Sequence, residues 1–186
     1  GAYEYVFETA SSCSRTGVTR TLTIPSMQKV DIASVSCSSY PDGYFHVYDK
    51  VAKLVEDGAV DVWAHLGDFI YNSGINASAY HVSSSWQSSA RDGSTHIASH
   101  YSPTSGNDDL LHTREEYRMR YRQYLSDWRL KRLRAAGPML YTPDDHEVVN
   151  DYIYSHGSPE DSMGGIEWVV KRSDAFKARD EYIPQA

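Results

Sequence analysis

The sequence has 186 residues, 40% of them hydrophobic and 23% charged, which is typical of a folded globular domain and argues against a disordered or low-complexity chain. Eighteen Lys and Arg residues against 25 Asp and Glu residues give a net charge of −7, which disfavours nucleic-acid binding. No apolar stretch approaches the roughly 20 residues needed to cross a bilayer, so we expect no transmembrane segment.

The first 25 residues have the pattern of a β-hairpin. Residues 3–8 and 20–24 alternate apolar or aromatic with polar side chains, and Pro25 follows the second segment. Two strands alone are only marginally stable in water, so we expect the hairpin to belong to a larger sheet. Cys13 lies between the two segments, where we expect a half-buried thiol.

The next part of the sequence has the order strand, helix, strand. A β-rich segment at 30–36 ends at Cys37, apolar residues follow at helical spacing over 45–56, and a second strand at 60–66 leads to Asp68. This order is typical of a parallel α/β unit, which places its chemistry beyond the carboxyl ends of the strands. We therefore expect Cys37 and Asp68 at the functional edge of the sheet.

Residues 72–109 are rich in Ser, Gly, Asn, His and Tyr without a sustained period, which predicts a long insertion loop. Such a loop could be a lid over the site that sets substrate size, or simply surface. Its candidate lid residues are His81, Trp86, His96 and His100.

Helices and one more strand follow the insertion. Thr113 and Glu116 have the capping-box spacing of a helix that runs to about residue 127, and a second helix is predicted at 129–136. A short strand at 139–142 then leads into an acidic turn, and the last helix is predicted at 166–182. The basic residues between Arg114 and Arg134 indicate a solvated helix face, balanced by acidic neighbours, more than a nucleic-acid surface. These acidic neighbours are Glu115, Glu116 and Asp127.

Three predicted strand ends carry side chains that can bind metal ions. Cys37 offers a thiol, Asp68 and Asp145 offer carboxylates, and His146 offers an imidazole. Carboxylates suit hard cations, whereas thiolate and imidazole suit transition metals, so the mixture indicates a transition metal beside a harder ion. Tyr71 follows Asp68 by three residues, and a phenolate is a ligand for ferric iron.

Each of these residues also has a structural interpretation when it is taken singly. Cys37 could be a small buried hydrophobe, Asp68 a helix cap or turn residue, and Tyr71 a packed aromatic. The acids around His146 could be a solvated turn. The coincidence of three strand ends favours the metal site.

The motifs resemble those of the PhoD-like alkaline phosphatases, within the calcineurin-like metallophosphoesterases. The resemblance extends over nearly the whole chain. The motifs that carry it are Ser36-Cys37, Gly67-Asp68-Phe69-Ile70-Tyr71 and Asp144-Asp145-His146-Glu147, with further similarity at Thr19-Arg20-Thr21-Leu22, Gly43-Tyr44-Phe45, Tyr117-Arg118, Leu125-Ser126-Asp127 and Glu181-Tyr182-Ile183-Pro184.

The resemblance implies hydrolysis of phosphate monoesters or diesters by an Fe(III) ion paired with Ca(II). It implies a thiolate ligand to iron at Cys37, a carboxylate shared between metals at Asp68 and a phenolate on Fe(III) at Tyr71. Asp145 would hold the second metal site, and His146 would meet the phosphoryl group or leaving oxygen. A neighbouring acid such as Glu147 would orient that imidazole. Two such cations generate a hydroxide at moderate pH and neutralise charge on the transition state.

The sequence departs from the family pattern in two places. Pro143 stands where relatives usually have Trp, and the later Gly-Asp-x-His segment that completes the family's metal site is not found. We therefore interpret the chain as an internal portion of the protein, or as one that needs a partner for the remaining ligands. The expected fold is α/β, a partial metallophosphoesterase sandwich with a mixed or parallel sheet flanked by helices. We place the end of a small N-terminal β domain at 1–27 and the N-terminal portion of the catalytic domain at 28–186.

A second functional hypothesis is a secreted structural or binding glycoprotein that reuses this fold without activity. Asn76 begins an Asn-Ala-Ser glycosylation sequon within a Ser-rich stretch, and the sequence has 15 Tyr against four Phe residues. We expect a secreted or extracellular protein on this ground. The two hypotheses differ in metal binding at Cys37, Asp68 and Tyr71, which the enzyme requires and the glycoprotein would have lost.

Overall fold

The computed structural model describes residues 1–21, 29–40, 44–72, 110–153, 156–157 and 163–183. None of the helices among these residues is long and apolar enough to cross a membrane. In chain order the described residues form strands β1 (Ala2–Tyr5), β2 (Gly17–Arg20) and β3 (Ile32–Val35), helix α1 (His46–Glu56), strand β4 (Val62–Leu66), helices α2 (Arg114–Ser126) and α3 (Trp128–Ala136), strand β5 (Met139–Thr142) and helix α4 (Gly165–Tyr182).

The N-terminal hairpin is present, but its second strand begins earlier than the alternation predicts. Strands β1 and β2 are antiparallel, with Ala2 opposite Arg20 and Tyr5 opposite Gly17. The ring of Tyr5 lies over Gly17, where a Cβ atom would be 2.2 Å from it. Residues 22–28, with the expected domain boundary at 27, lie outside the described residues. Cys13 is exposed, so the expectation of a half-buried thiol is wrong.

The central sheet has three parallel strands in the order β3, β4, β5, which confirms the predicted α/β class. Its register pairs Val35 with His65 and Leu66 with Thr142. Because the strands are parallel and in register, their carboxyl ends meet at one edge. The segments that follow Val35, Leu66 and Thr142 therefore emerge side by side.

Helices α1 and α3 pack against each other and form the core beside this sheet. The indole of Trp63 on β4 is fully buried, lies 6.5 Å from the Tyr48 ring of α1, and donates to the Gly137 carbonyl at 3.2 Å. The hydrogen bond satisfies the only polar atom of the indole side chain. Helix α1 buries its apolar stripe through Tyr48, Val51, Ala52 and Val55.

Helices α2 and α4 form the second helical pair. Glu115 balances the basic face of α2 as predicted, through ion pairs with Arg118 at 3.3 Å and Arg122 at 3.0 Å. Arg114 pairs with Asp174 at 3.0 Å, and Arg118 pairs with Glu181 at 2.6 Å, so α4 supplies acids that neutralise α2. Glu116 is buried because it completes the predicted capping box with Thr113. Asp127 is also buried and caps α3 through the backbone N–H groups of Arg129 and Leu130. Arg120 on α2 is buried as well.

Candidate functional site

The backbone at the ends of β3 and β4 is held in an unusual conformation. Cys37 and Asp68 both have positive φ values, of 57° and 51°, which non-glycine residues adopt only rarely. Two backbone hydrogen bonds join these ends, from Cys37 N to Gly67 O at 3.2 Å and from Ser38 N to Asp68 O at 3.0 Å. The backbone pairing of β3 with β4 therefore continues past the strand ends, and Cys37 and Asp68 lie together at this edge of the sheet.

Asp68, Asp145 and His146 form a cluster in which one ligand atom of each lies within 4.8 Å of the others. Asp68 is 7% exposed, and its Oδ1 atom has no hydrogen-bond partner among the described residues. Burial raises the pKa of the Asp68 carboxyl, and His146 opposes that rise while Asp145 adds to it. A buried carboxylate with an unpartnered oxygen beside a second carboxylate is suited to a cation, because a cation supplies the missing compensation.

Tyr71 links Asp68 to His146. Its hydroxyl donates to Asp68 Oδ2 at 3.2 Å, and its ring stacks on the imidazole of His146 with centroids 4.2 Å apart and planes at 28°. Burial, with the adjacent Asp68 and Cys37 groups, raises the pKa of the Tyr71 phenol. Deprotonation of Tyr71 therefore requires a strong cation at this position.

Cys37 is exposed and interacts with the Tyr71 hydroxyl, so the interpretation of Cys37 as a small buried hydrophobe is wrong. Within the described part of the chain, Cys37 lies outside the tight group of Asp68, Asp145 and His146. The structure thus brings the predicted residues to one edge, where Tyr71 contacts Cys37, Asp68 and His146.

Glu147 does not orient His146, contrary to the sequence-based hypothesis. Its buried carboxylate accepts from the backbone N–H groups of Phe69 at 2.6 Å, Asp144 at 2.8 Å and Asp68 at 3.3 Å. His146 and Glu147 are consecutive in sequence, but their side chains contact different partners. Glu147 instead ties the segment after β4 to the segment after β5.

Asn72, and not Glu147, contacts the imidazole of His146. Its Oδ1 atom lies 2.7 Å from Nδ1 of His146, and its side chain is fully buried. Sequence reasoning missed this residue because it falls at the first position of the predicted insertion. Its direct succession to Tyr71 was the signal that could have found it.

A second group that sequence reasoning missed lies behind the strand ends. The Tyr48 hydroxyl donates to Ser38 Oγ at 2.6 Å, and His65 Nε2 lies 2.9 Å from each of the two oxygens. Burial lowers the pKa of His65 to about 4, so this imidazole is neutral at physiological pH. Ser38 follows Cys37 and hydrogen-bonds to the Asp68 carbonyl, so the group supports both strand ends.

The predicted glycosylation site at Asn76 and the candidate lid residues His81, Trp86, His96 and His100 lie outside the described residues.

The fold and this edge define an α/β domain with a candidate metal centre at the carboxyl ends of parallel strands. The chain belongs to the PhoD-like phosphatase family, whose model matches residues 32–186. It is 33% identical over 184 residues to alkaline phosphatase D of Bacillus subtilis (strain 168), an alignment that covers 98% of this chain. A solved structure described as the structure of PhoD matches with a TM-score of 0.70 and 30% identity over 100% of the chain. These findings confirm the resemblance.

The chain spans only about a quarter to a third of these relatives, namely 27% of alkaline phosphatase D and 31% of the solved PhoD chain.

Proposed function

We propose that the protein hydrolyses phosphate monoesters or diesters with the help of bound metal ions. One observation carries the proposal: Asp68, Asp145 and His146 meet within 4.8 Å at the strand ends, and Asp68 has a buried oxygen without a donor. Membership of the PhoD-like phosphatase family supports phosphoester chemistry at this cluster.

The donor set fits an Fe(III) ion beside a Ca(II) ion. Cys37 and Tyr71 would supply the thiolate and phenolate that suit Fe(III), and Asp145 would supply oxygen to the harder ion. Asp68 accepts a hydrogen bond from Tyr71 and has a ligand atom within 4.8 Å of one of Asp145, so it would be shared. Once bound, the ions would lower the pKa of a water molecule and neutralise charge on the phosphoryl group in the transition state.

The residues of the chain would then serve mainly to position and to move a proton. His146 would approach the phosphoryl group or the leaving oxygen, because Asp68 and Asp145 are its neighbours and Tyr71 stacks on its ring. Glu147 would keep the two strand ends at a fixed separation through its three backbone hydrogen bonds. Such fixed geometry lets binding energy act on the transition state.

We further propose that a part of the protein beyond these residues completes the ligand set. Three apolar side chains, Ile32, Leu66 and Leu140, are exposed on the central sheet. The register places all three on one face of that sheet. Parallel sheets in complete domains are covered on both faces, so this face favours a further layer over it. We also propose that the protein is secreted, on the ground of the sequon at Asn76.

Activity of the Asp68→Asn variant tests the proposed function. The holoenzyme loaded with Fe(III) and Ca(II) is expected to hydrolyse an aryl phosphate monoester or diester, and Asp68→Asn is expected to lose at least about 100-fold in kcat/KM because it removes the shared ligand. Asp57→Asn is the matched control, since the Asp57 side chain is exposed and pairs with Lys53 at 2.8 Å. A folded, metal-loaded protein without turnover of either ester contradicts the proposal.

A further inference from the structure

The position of His146 is determined by contacts on two sides of its ring. The Tyr71 ring stacks on one face at a centroid distance of 4.2 Å, and Asn72 meets the ring edge at Nδ1. Two consecutive residues of the segment after β4 therefore hold the imidazole in place. The imidazole itself belongs to the segment after β5.

The contact with Asn72 also selects a tautomer. The atom that lies 2.7 Å from Nδ1 is the carbonyl oxygen Oδ1, which can only accept a hydrogen bond. Nδ1 must therefore carry the proton, and in the neutral ring Nε2 keeps its lone pair. Neutral imidazole in water carries the proton on either nitrogen, so a fixed acceptor at Nδ1 changes the chemistry that the other nitrogen offers.

Asn72 is itself held firmly enough to act in this way. Its side chain is fully buried, and its backbone carbonyl accepts from Leu111 N at 3.0 Å. That hydrogen bond joins the chain where it leaves the site to the chain where it returns after residue 109. The Nδ2 atom of Asn72 is buried without a partner in the part of the chain that the structure describes.

We infer that Asn72 is a positioning residue that fixes His146 as the Nδ1–H tautomer, so that Nε2 is the nitrogen offered to the cluster and to the phosphoryl group. The catalytic role given to Nε2 rests on the proposed function. The tautomer of His146 can be measured without turnover. Nε2 with a free lone pair can bind a cation or accept a proton. The same proton can then pass from Nε2 to a leaving oxygen, with Asn72 holding the resulting imidazolium through Nδ1–H.

The tautomer can be read directly by long-range ¹⁵N–¹H correlation spectra of histidine-labelled protein at alkaline pH, where neutral imidazole dominates. His146→Gln identifies the His146 signals among the eight histidines of the sequence. Asn72→Leu removes the acceptor with a side chain of the same branched shape, and it also removes the unpaired Nδ2 donor, so the fold is expected to survive. Asn72→Asp keeps an oxygen at the same position and serves as the conservative rescue.

The wild-type protein is expected to show His146 with the proton on Nδ1, and Asn72→Asp is expected to preserve it. Asn72→Leu is expected to move most of the population to the Nε2–H form, while the buried His65 signals stay unchanged. In the active holoenzyme the same variant is expected to lower kcat about 10- to 100-fold with little change in KM, and Asn72→Asp to restore most of it.

Two results overturn the inference: a wild-type His146 with its proton on Nε2, or an Asn72→Leu variant that keeps the proton on Nδ1. Failure of the proposed function is a separate outcome. It is seen as a folded, loaded wild-type holoenzyme without turnover, and the tautomer spectra still decide the role of Asn72 in that case.

Discussion

Replacement of Gly67 by Ala is expected to damage the site through two separable costs. Gly67 has a φ of +90°, in the region that favours glycine, and it lies directly between Leu66 of β4 and Asp68. A Cβ atom at this position would lie 2.4 Å from Asp144 Cβ and 2.8 Å from Asp144 N. Real Cβ atoms do not approach other atoms this closely, so the turn after β5 must move.

The magnitude follows from the same contacts. The left-handed backbone costs an alanine about 1–2 kcal/mol. Moving Asp144 also breaks the 2.8 Å hydrogen bond from its backbone N–H to buried Glu147, which adds about 1–3 kcal/mol. We therefore expect Gly67→Ala to lower the free energy of unfolding by about 2–5 kcal/mol in total.

Gly58→Ala provides the matched control. Gly58 has a similar φ of +74°, but an added Cβ atom would meet nothing within 4 Å, so only the backbone cost of about 1–2 kcal/mol remains. Urea unfolding of both variants measures the difference. The reasoning is refuted if Gly67→Ala is no more destabilising than Gly58→Ala.

Three further predictions concern other parts of the molecule. Because the pKa of His65 is about 4 in the folded protein against 6.5 ordinarily, the unfolded chain binds the proton first. The free energy of unfolding should therefore fall by about 3 kcal/mol as the pH drops through this interval, and His65→Gln should flatten that slope in unfolding curves measured across pH. Thr113→Ala should cost about 1 kcal/mol in thermal unfolding, whereas Thr142→Ala on the exposed strand end should cost less; equal losses contradict the capping-box assignment. Deleting part of residues 73–109 should change the ratio of kcat/KM for small and bulky esters more than it changes metal content, and equal loss of both contradicts a lid.

The sheet and helices could be predicted from the sequence because hydrophobic periodicity reports directly on burial. The parallel strands at 32–35, 62–66 and 139–142 and the cap at Thr113 follow from local patterns that tertiary contacts reinforce. The start of the second hairpin strand did not follow, because its pairing with β1 runs from Gly17 to Arg20, ahead of the alternating segment at 20–24. Alternation of residue types alone does not report where backbone pairing begins.

The strand ends predicted which residues gather at the site, but not the contacts that those residues make. Asp68, Asp145 and His146 do meet, as parallel topology requires. The partner of His146 was missed because the choice between Glu147 and Asn72 depends on the direction of side chains in two facing turns. That direction is a property of the assembled edge, and no periodicity within either turn encodes it.

The ion pairs of α2 are a further feature that the sequence predicted only in part. The predicted pairing within the helix is present, because Glu115 contacts Arg118 and Arg122, but it is only part of the charge balance. The structure pairs Arg114 and Arg118 with Asp174 and Glu181 of α4, which lie about 60 residues later in the sequence. Long-range ion pairs of this kind require the helix packing to be known.

The most direct test of the metal centre is the metal content of the isolated protein, measured by mass spectrometry with a visible spectrum of the same sample. We expect about one equivalent of iron and a tyrosinate-to-iron charge-transfer band that disappears in Tyr71→Phe but persists in Tyr3→Phe, whose side chain is exposed in the hairpin. Protein without iron and without the band, or a band unaffected by Tyr71→Phe, contradicts the account.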